Sequence, residues 1–414
     1  MAKIKDIYAR EILDSRGNPT IEVEMTLDND IQVTASVPSG ASTGSREALE
    51  LRDHDTTRFH GKGVLAATIN INQIIRPKLI GRVLDQTNID RFLIELDGTP
   101  NKSRLGANTT LAVSLASIKA LAKSSGKELY EYISNGKVSL PVPFINIING
   151  GVHATNNLDI QEFMIVPMQK GFKAKIRCAS EIFMTLKDIL KKENLNTSVG
   201  DEGGFAPDLK YNSMALDYIM EAIRQSGYVP GSDVFIALDI AASELYNKET
   251  NTYHLDGKNI SKDELTKYYL ALIKRYPIIS IEDPFWEDDF DSLAKLTKMI
   301  GKKVILVGDD HFVTNTKYLS YAAENKSGNA ILLKANQVGT ISEMIKTIAF
   351  AKKNNYKTII SHRSGETLDT FIADFAVGLN LHFIKSGSVS RGERIAKYNR
   401  LLKIEEDLKR VKEV

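Results

Sequence analysis

From about residue 140 onward, short apolar runs alternate with longer amphipathic stretches, and run after run ends on an ionisable side chain. FIALD closes at Asp239, IISIE at Glu282, VILVGD at Asp309, AILLK at Lys334, TIISHR at His362 and Arg363, and HFIK at Lys385. From Glu282 the successive spacings are 27, 25, 28 and 23 residues. One βα unit of an eightfold barrel needs roughly 30. Strands covered on both faces are continuously apolar, as these runs are. Helix caps favour Asp at strand–helix junctions, but capping does not explain two lysines, an arginine and a histidine in the same register. A β/α barrel carries its active site at the C-terminal ends of its strands. The pattern therefore predicts an α/β chain whose residues 135–414 form an eightfold, TIM-like β/α barrel with a site at its mouth.

The first 134 residues read differently. Ile21, Val23 and Met25 alternate with Glu22, Glu24 and Thr26, the period of a half-buried strand. Asp14–Pro19 before them reads as a hairpin turn. A third strand fits Ile31–Val37, and helices fit 63–80, 88–95 and 107–123. Strands followed by helices indicate an α+β domain. Ser134–Pro143, with its glycine and two prolines, is the expected connection to the barrel.

Composition narrows the function. Lys+Arg (54) and Asp+Glu (52) nearly balance, and no basic block interleaves with aromatics, so nucleic acid is not the expected partner. No long uncharged apolar run and no leader-like N-terminus is present, so a soluble, cytoplasmic chain without membrane contact is expected. Cys178 is the only cysteine. It sits at helical spacing among apolar residues, as a core residue in a reducing compartment would.

Asp239, Glu282 and Asp309 end successive strands. Three converging carboxylates repel without a cation, and hard oxygen donors suit Mg²⁺; no Cys–His set points to zinc. Lys334 ends the next strand. Cationic neighbours would depress its pKa and make it a usable base near neutrality. In Ser198–Pro207, Glu202 is either a general acid, kept protonated by a like charge such as Glu162, or part of an acidic turn. Gly203 and Gly204 would let backbone approach a ligand. Pro38–Ser45, with Gly40 and Gly44, lacks the lysine of a P-loop and is either an ordinary loop or a glycine-hinged lid. Ser361–Gly365 offers a guanidinium and hydroxyls as an anion cradle. His54, His60, His254 and His311 belong to no constellation and read as structural or solvated.

Together these segments resemble the enolase family. The matching stretches are DSRGNPTIEVE (14–24), SGASTGSREALELRD (39–53), NIINGGVHATNN (146–157), QEFMIVP (161–167), GDEGGFAP (200–207), SIEDP (280–284), LVGDD (306–310), LLKANQVGT (332–340), SHRSGET (361–367) and KYNRLLKIEE (397–406). They span the chain in family order. The resemblance implies a barrel whose first units depart from plain βα repetition. It also implies reversible dehydration of 2-phospho-D-glycerate to phosphoenolpyruvate, with two Mg²⁺ per site. On this basis Asp239, Glu282 and Asp309 hold the first Mg²⁺, and Ser39 joins the second as the lid closes. Lys334 removes the C2 proton and Glu202 protonates the departing hydroxyl. Arg363 and Ser364 bind phosphate, Lys385 and Gln161 contact substrate, and His153, Glu162 and His362 complete the site.

The resemblance further implies a homodimer or larger homo-oligomer, and admits an additional cell-surface or secreted presence. His311, the Asn380–Phe383 stretch and Ser386 depart from the family's usual residues without removing a catalytic group. A lyase or racemase of the same superfamily acting on another carboxylate is the nearest rival; it would not need the loop, Glu202 or the Arg363–Ser364 cradle. A binding protein on the same scaffold is the other, and an intact acid, base and metal set argues against it.

Overall fold

The computed structural model describes residues 2–40 and 46–413. Near the N-terminus, β1 (Ile4–Leu13), β2 (Pro19–Leu27) and β3 (Gln32–Ser36) form an antiparallel meander. The Asp14 carboxylate closes the first turn by accepting the N–H groups of Arg16 (2.8 Å) and Asn18 (2.9 Å). Ile21, Val23, Met25 and Leu27 of β2 are completely buried, as their alternation requires. The helix Ala107–Ser124 covers that face and is buried almost all round. Its Ala- and Leu-rich sequence has no polar stripe because the barrel lies on its other side. There Thr110 Oγ1 donates to the carbonyl of Gly339 (2.8 Å), and Ser114 Oγ accepts the N–H of Ile341 (2.9 Å).

The expected helix 63–80 is present as Leu65–Leu79, but Asn70–Ile75 widens into a π turn. The π turn holds Asn72, whose side chain pairs with the backbone N–H and carbonyl of Ala9 on β1, at 2.8 and 2.9 Å. A backbone-mimicking amide at a sheet edge is a reason for the irregularity that apolar periodicity does not register.

The remaining strands are β4 (Val142–Asn149), β5 (Glu162–Pro167), β6 (Val234–Asp239), a small meander β7 (Tyr246–Asn247), β8 (Thr252–Leu255) and β9 (Lys258–Ile260), then β10 (Ile278–Glu282), β11 (Ile305–Gly308), β12 (Ala330–Leu333), β13 (Lys357–Ser361) and β14 (Phe383–Lys385). Eight of them close a barrel in the order β4-β5-β6-β10-β11-β12-β13-β14, with β14 pairing back to β4. Phe144, Met164, Val166, Ala237, Val307, Ala330, Leu332 and Ile359 form an apolar cluster of strand residues separate from the main core. A barrel filled in this way is packed rather than hollow.

The expected departure from βα repetition lies in β5. It runs antiparallel to both β4 and β6, while the other neighbours in the barrel are parallel. Two successive helices, Phe172–Lys192 and Asn212–Gln225, separate β5 from β6. Cys178 lies fully buried in the first, and burial pushes its thiol up to about 11, so it is a packing residue. Among the described residues no helix is long and apolar enough to cross a membrane.

Candidate active site

The ends of β6, β10, β12, β13 and β14 deliver Asp239, Glu282, Lys334, His362 and Lys385 to one end of the barrel, and Asp309 follows β11 directly. The reversed strand β5 contributes its first residue instead of its last, so Glu162 sits in register with Asp239. His153, Gln161, Glu162, Glu202, Asp239, Asp309, Lys334, His362, Arg363, Ser364 and Lys385 line a common cavity there, with Asp283, Asp310 and Glu244. Seven of the lining residues are acids, against two lysines and one arginine.

Lys385 answers most of that charge. Its Nζ lies 2.9 Å from Asp239 Oδ2, 2.9 Å from both oxygens of Glu282 and 3.0 Å from Glu162 Oε1. Burial disfavours its ammonium, but Asp239, Glu162 and Glu282 outweigh that and hold its pKa well above the usual value. Glu282, although not itself a lining residue, thus belongs to the same cluster. Asp309 is engaged separately, by the ammonium of Lys334 and by Gln337 Nε2 (2.9 Å). Burial lowers the Lys334 pKa, yet Asp309 brings it above the ordinary value. Beside Asp309, Lys334 is therefore an ammonium.

These contacts test the donor set for a divalent ion. Asp239 and Glu282 are cross-strand partners whose oxygens already converge on one cation, the Lys385 ammonium. Asp309 is a third hard donor close by, and an all-oxygen set of this kind fits Mg²⁺. The tightest acidic groups among the described residues are different ones: Asp283 with Asp309 and Asp310, and His153 with Glu162 and Glu202, each with ligand atoms within 4.8 Å of one another.

In the second of these groups, Glu202 Oε2 accepts from Asn146 Nδ2 at 3.1 Å, and Glu202 Oε1 lies 3.2 Å from His362 Nε2 and 3.6 Å from His153 Nδ1. Here the sequence reading needs correction. It placed the extra proton on Glu202, with Glu162 as the charge that keeps it there. The reverse holds. Burial and the neighbouring Glu202 carboxylate push Glu162 well up, against the pull of Lys385. Burial also raises Glu202, but His362, His153 and Arg394 outweigh it and hold Glu202 well below the usual carboxylate range. The two carboxyls form one proton-holding pair, Glu162 shifted up and Glu202 shifted down.

Several buried polar atoms here have no partner: Gln161 Oε1, Glu162 Oε2, His153 Nδ1 and His362 Nε2, the last close to Glu202 but poorly aligned with it. Orphans are rare in folded interiors, and a group of them around a cavity marks a place prepared for a polar ligand.

One expectation meets a different structure. Gly203 and Gly204 face protein, not the cavity. A Cβ on Gly203 would stand 2.7 Å from the carbonyl oxygen of Ser390, and one on Gly204 would stand 3.0 Å from the β4 backbone at Ile147. They let the Glu202 loop lie directly on β4. Ser39 does not line the cavity in this arrangement. Its hydroxyl donates to Glu50 Oε2 (3.0 Å) and accepts from Arg52 Nη2 (2.8 Å), while its backbone pairs with Gly365. The glycine Gly44, read as a hinge, lies outside the described residues, as do residues 41–43 and 45.

Arg363 grips a carboxylate already, with Nη1 2.9 Å from Glu47 Oε2 and Nη2 3.3 Å from Glu47 Oε1. Sequence reasoning missed Glu47, Asn146, Gln337, Asp283 and Arg394. The first four lie in stretches already singled out, but amides and loop acids carry no spacing signal. His311 is structural: fully buried, its Nδ1 lies 3.0 Å from Asp283, whose carboxylate accepts the N–H groups of Asp309 and Asp310 at 2.9 Å. His54, His60 and His254 are exposed.

Lys385→Met removes the one cation shared by three buried carboxylates. A loss of about 3–5 kcal/mol is expected at pH 8. Glu162 and Glu282 already have folded-state pKa values raised by burial, and the variant raises them further. Groups raised in this way stabilise at low pH, and that contribution is lost as pH rises through the folded value. Urea unfolding should therefore show a smaller loss at pH 5 than at pH 8; equal losses would contradict the charge assignment.

Residues 4–133 match the family model described as Enolase, N-terminal domain. Residues 137–413 match the one described as Enolase, C-terminal TIM barrel domain. With a closed eight-stranded barrel and a cluster of acids and lysines at its mouth, the chain belongs to the enolase family of lyases.

Proposed function

We propose that the chain catalyses the reversible, Mg²⁺-dependent dehydration of 2-phospho-D-glycerate to phosphoenolpyruvate, a step of glycolysis and gluconeogenesis. The observation that carries this reading is the convergence on one cavity of a lysine, a buried carboxyl pair, strand-end carboxylates and an arginine already gripping an anion. In this reading residues 1–134 carry the loop that closes over a catalytic domain of 135–414.

Arg363 and Ser364 hold the phosphate, which requires Arg363 to exchange Glu47 for the ligand. Anchoring the phosphate sets C2 against Lys334 and leaves C3 facing Glu202. Lys334 takes the C2 proton. That builds a second negative charge on the substrate carboxylate group, which Lys385 helps to neutralise. Asp239, Glu282 and Asp309 would hold a Mg²⁺ that would supply further positive charge there, and a Lys or His base combined with one or two Mg²⁺ is the handling known across the superfamily. Lys334 must give up Asp309 to become a base, so the contact that keeps it charged is the one a cation on Asp309 would weaken. Glu202, drawing on the proton held with Glu162, protonates the hydroxyl that leaves C3 as water. Gln161, His153 and His362 orient the substrate through their free polar atoms.

A second Mg²⁺ next to phosphate is part of this reading, with Ser39 as a ligand once lid closure releases its hydroxyl from Glu50 and Arg52. A lone buried cysteine suits a reducing cytoplasm. A homo-oligomer is the expected assembly: Leu13 (60% exposed) and Leu368 (72%) line one groove with Ile12 and Lys119. Sedimentation should give at least twice the 46.0 kDa chain mass, and a monomer at micromolar concentration would contradict this.

Turnover of 2-phospho-D-glycerate should vanish with EDTA and return with Mg²⁺. A folded, Mg²⁺-loaded sample without turnover would sink the reading, and turnover of a non-phosphorylated acid instead would favour another member of the superfamily. The two proton-transfer roles separate by isotope exchange. Glu202→Gln should lose net dehydration yet still exchange the C2 proton with solvent, whereas Lys334→Ala should lose both. Exchange retained in Lys334→Ala would refute the base assignment.

A further inference from the structure

We propose that Arg394 fixes His362 as the Nε2–H tautomer, which leaves His362 a donor beside Glu202 at the cavity and bars it from carrying a proton in the reaction. The inference rests on the reading of Glu202 as the acid, and it assigns Arg394 as a positioning residue that touches neither substrate nor metal.

Arg394 is fully buried. Its Nη1 lies 2.6 Å from His362 Nδ1 and 2.5 Å from the carbonyl oxygen of Arg363. Its Nη2 donates to the carbonyls of Ser364 (2.6 Å) and Asp201 (3.1 Å) and reaches Ser15 Oγ at 3.4 Å. Nε stands 3.3 Å from Glu393 Oε1. A guanidinium is charged at all working pH values and has no lone pair to offer, so every short contact it makes is a donation. The atom 2.6 Å away, His362 Nδ1, must therefore be the bare nitrogen. The single hydrogen of a neutral imidazole is left on Nε2, and Nε2 faces Glu202 Oε1 at 3.2 Å.

A proton added at Nδ1 would point an N–H at another N–H inside a fully occupied shell. Burial pushes the His362 pKa down to about 3 against the pull of Glu202, and the Arg394 charge adds to the fall. A histidine held in this state keeps its Nε2–H beside Glu202 and cannot relay a proton, so the proton that Glu202 delivers must reach it by a route other than His362. Arg394 also spans two functional segments through carbonyls, the phosphate-binding Arg363–Ser364 and the loop at Asp201 that precedes Glu202. A lysine at this position has no planar fork and could not hold these partners together.

The test is a long-range ¹H–¹⁵N correlation spectrum of ¹⁵N-histidine-labelled wild-type protein, with His362 assigned by its loss in His362→Asn. From pH 5 to 9 the expected pattern is a bare Nδ1 and a protonated Nε2. A protonated Nδ1, or an imidazolium at pH 7, would overturn the proposal. In Arg394→Met the bare Nδ1 should give way to a tautomer mixture. kcat should fall about 10- to 100-fold, as for loss of an outer-shell partner, with a smaller change in KM, and Arg394→Lys should recover part of it. A wild-type tautomer pattern in Arg394→Met would also overturn it, and if that variant does not fold the wild-type spectrum alone decides. The expected tautomer in a protein without turnover would refute the proposed function but not this inference; turnover with an Nδ1–H histidine would refute the inference alone.

Discussion

The mouth of the barrel is held together by the contact of one ammonium with three buried carboxylates. Lys385 stands on β14, and Glu162, Asp239 and Glu282 stand on β5, β6 and β10. β14 is not hydrogen-bonded to any of those strands, so the contact crosses the interior of the barrel instead of following its wall. Removing charged groups from water costs several kcal/mol apiece, and mutual attraction offsets that only with close geometry. The 2.9–3.0 Å contacts supply that geometry. The same arrangement leaves the cavity with more acid than base, and that imbalance is what a divalent cation can relieve.

Much of this was legible in the sequence because barrel strands are short and buried on both faces. An ionisable residue at the end of an apolar run has nowhere to go but the mouth, so Asp239, Glu282, Asp309, Lys334, His362 and Lys385 could be placed by register alone. Glu162 could not, because it begins an apolar run, and a spacing argument cannot tell which way a strand points. The opposite shifts of Glu162 and Glu202 were also out of reach. They depend on His153, His362 and Arg394, which approach from three separate segments. Ser39 shows the same limit in another form: the loop was recognisable from its composition, but Glu50 and Arg52 decide where that hydroxyl points.

The phosphate cradle is already satisfied internally. Glu47 presents two oxygens to Arg363, much as a phosphate would. The guanidinium is thus kept in a fixed pose among buried groups without being left as an uncompensated charge. Arg52, Glu50 and Ser39 form a neighbouring set, so the N-terminal residues around the loop are bound to the barrel by directional polar contacts as well as by packing.

The reversed strand has a consequence in the parity of chain traversals. In ordinary βα repetition each strand rises to the mouth and one helix returns the chain, so every helix-to-strand link falls at the far end. β5 descends. The chain then starts from the far end and must cross the barrel's length an odd number of times to place β6 rising beside it; with two helices, Phe172–Lys192 climbs, Asn212–Gln225 descends and β6 climbs. The helix-to-helix link is thereby forced onto the catalytic side. Residues 193–211, Glu202 among them, occupy a position that no strand end could supply. A single inverted strand therefore yields two catalytic-side segments, its own leading residue and a loop one helix away, and the two deliver the partners of the carboxyl pair.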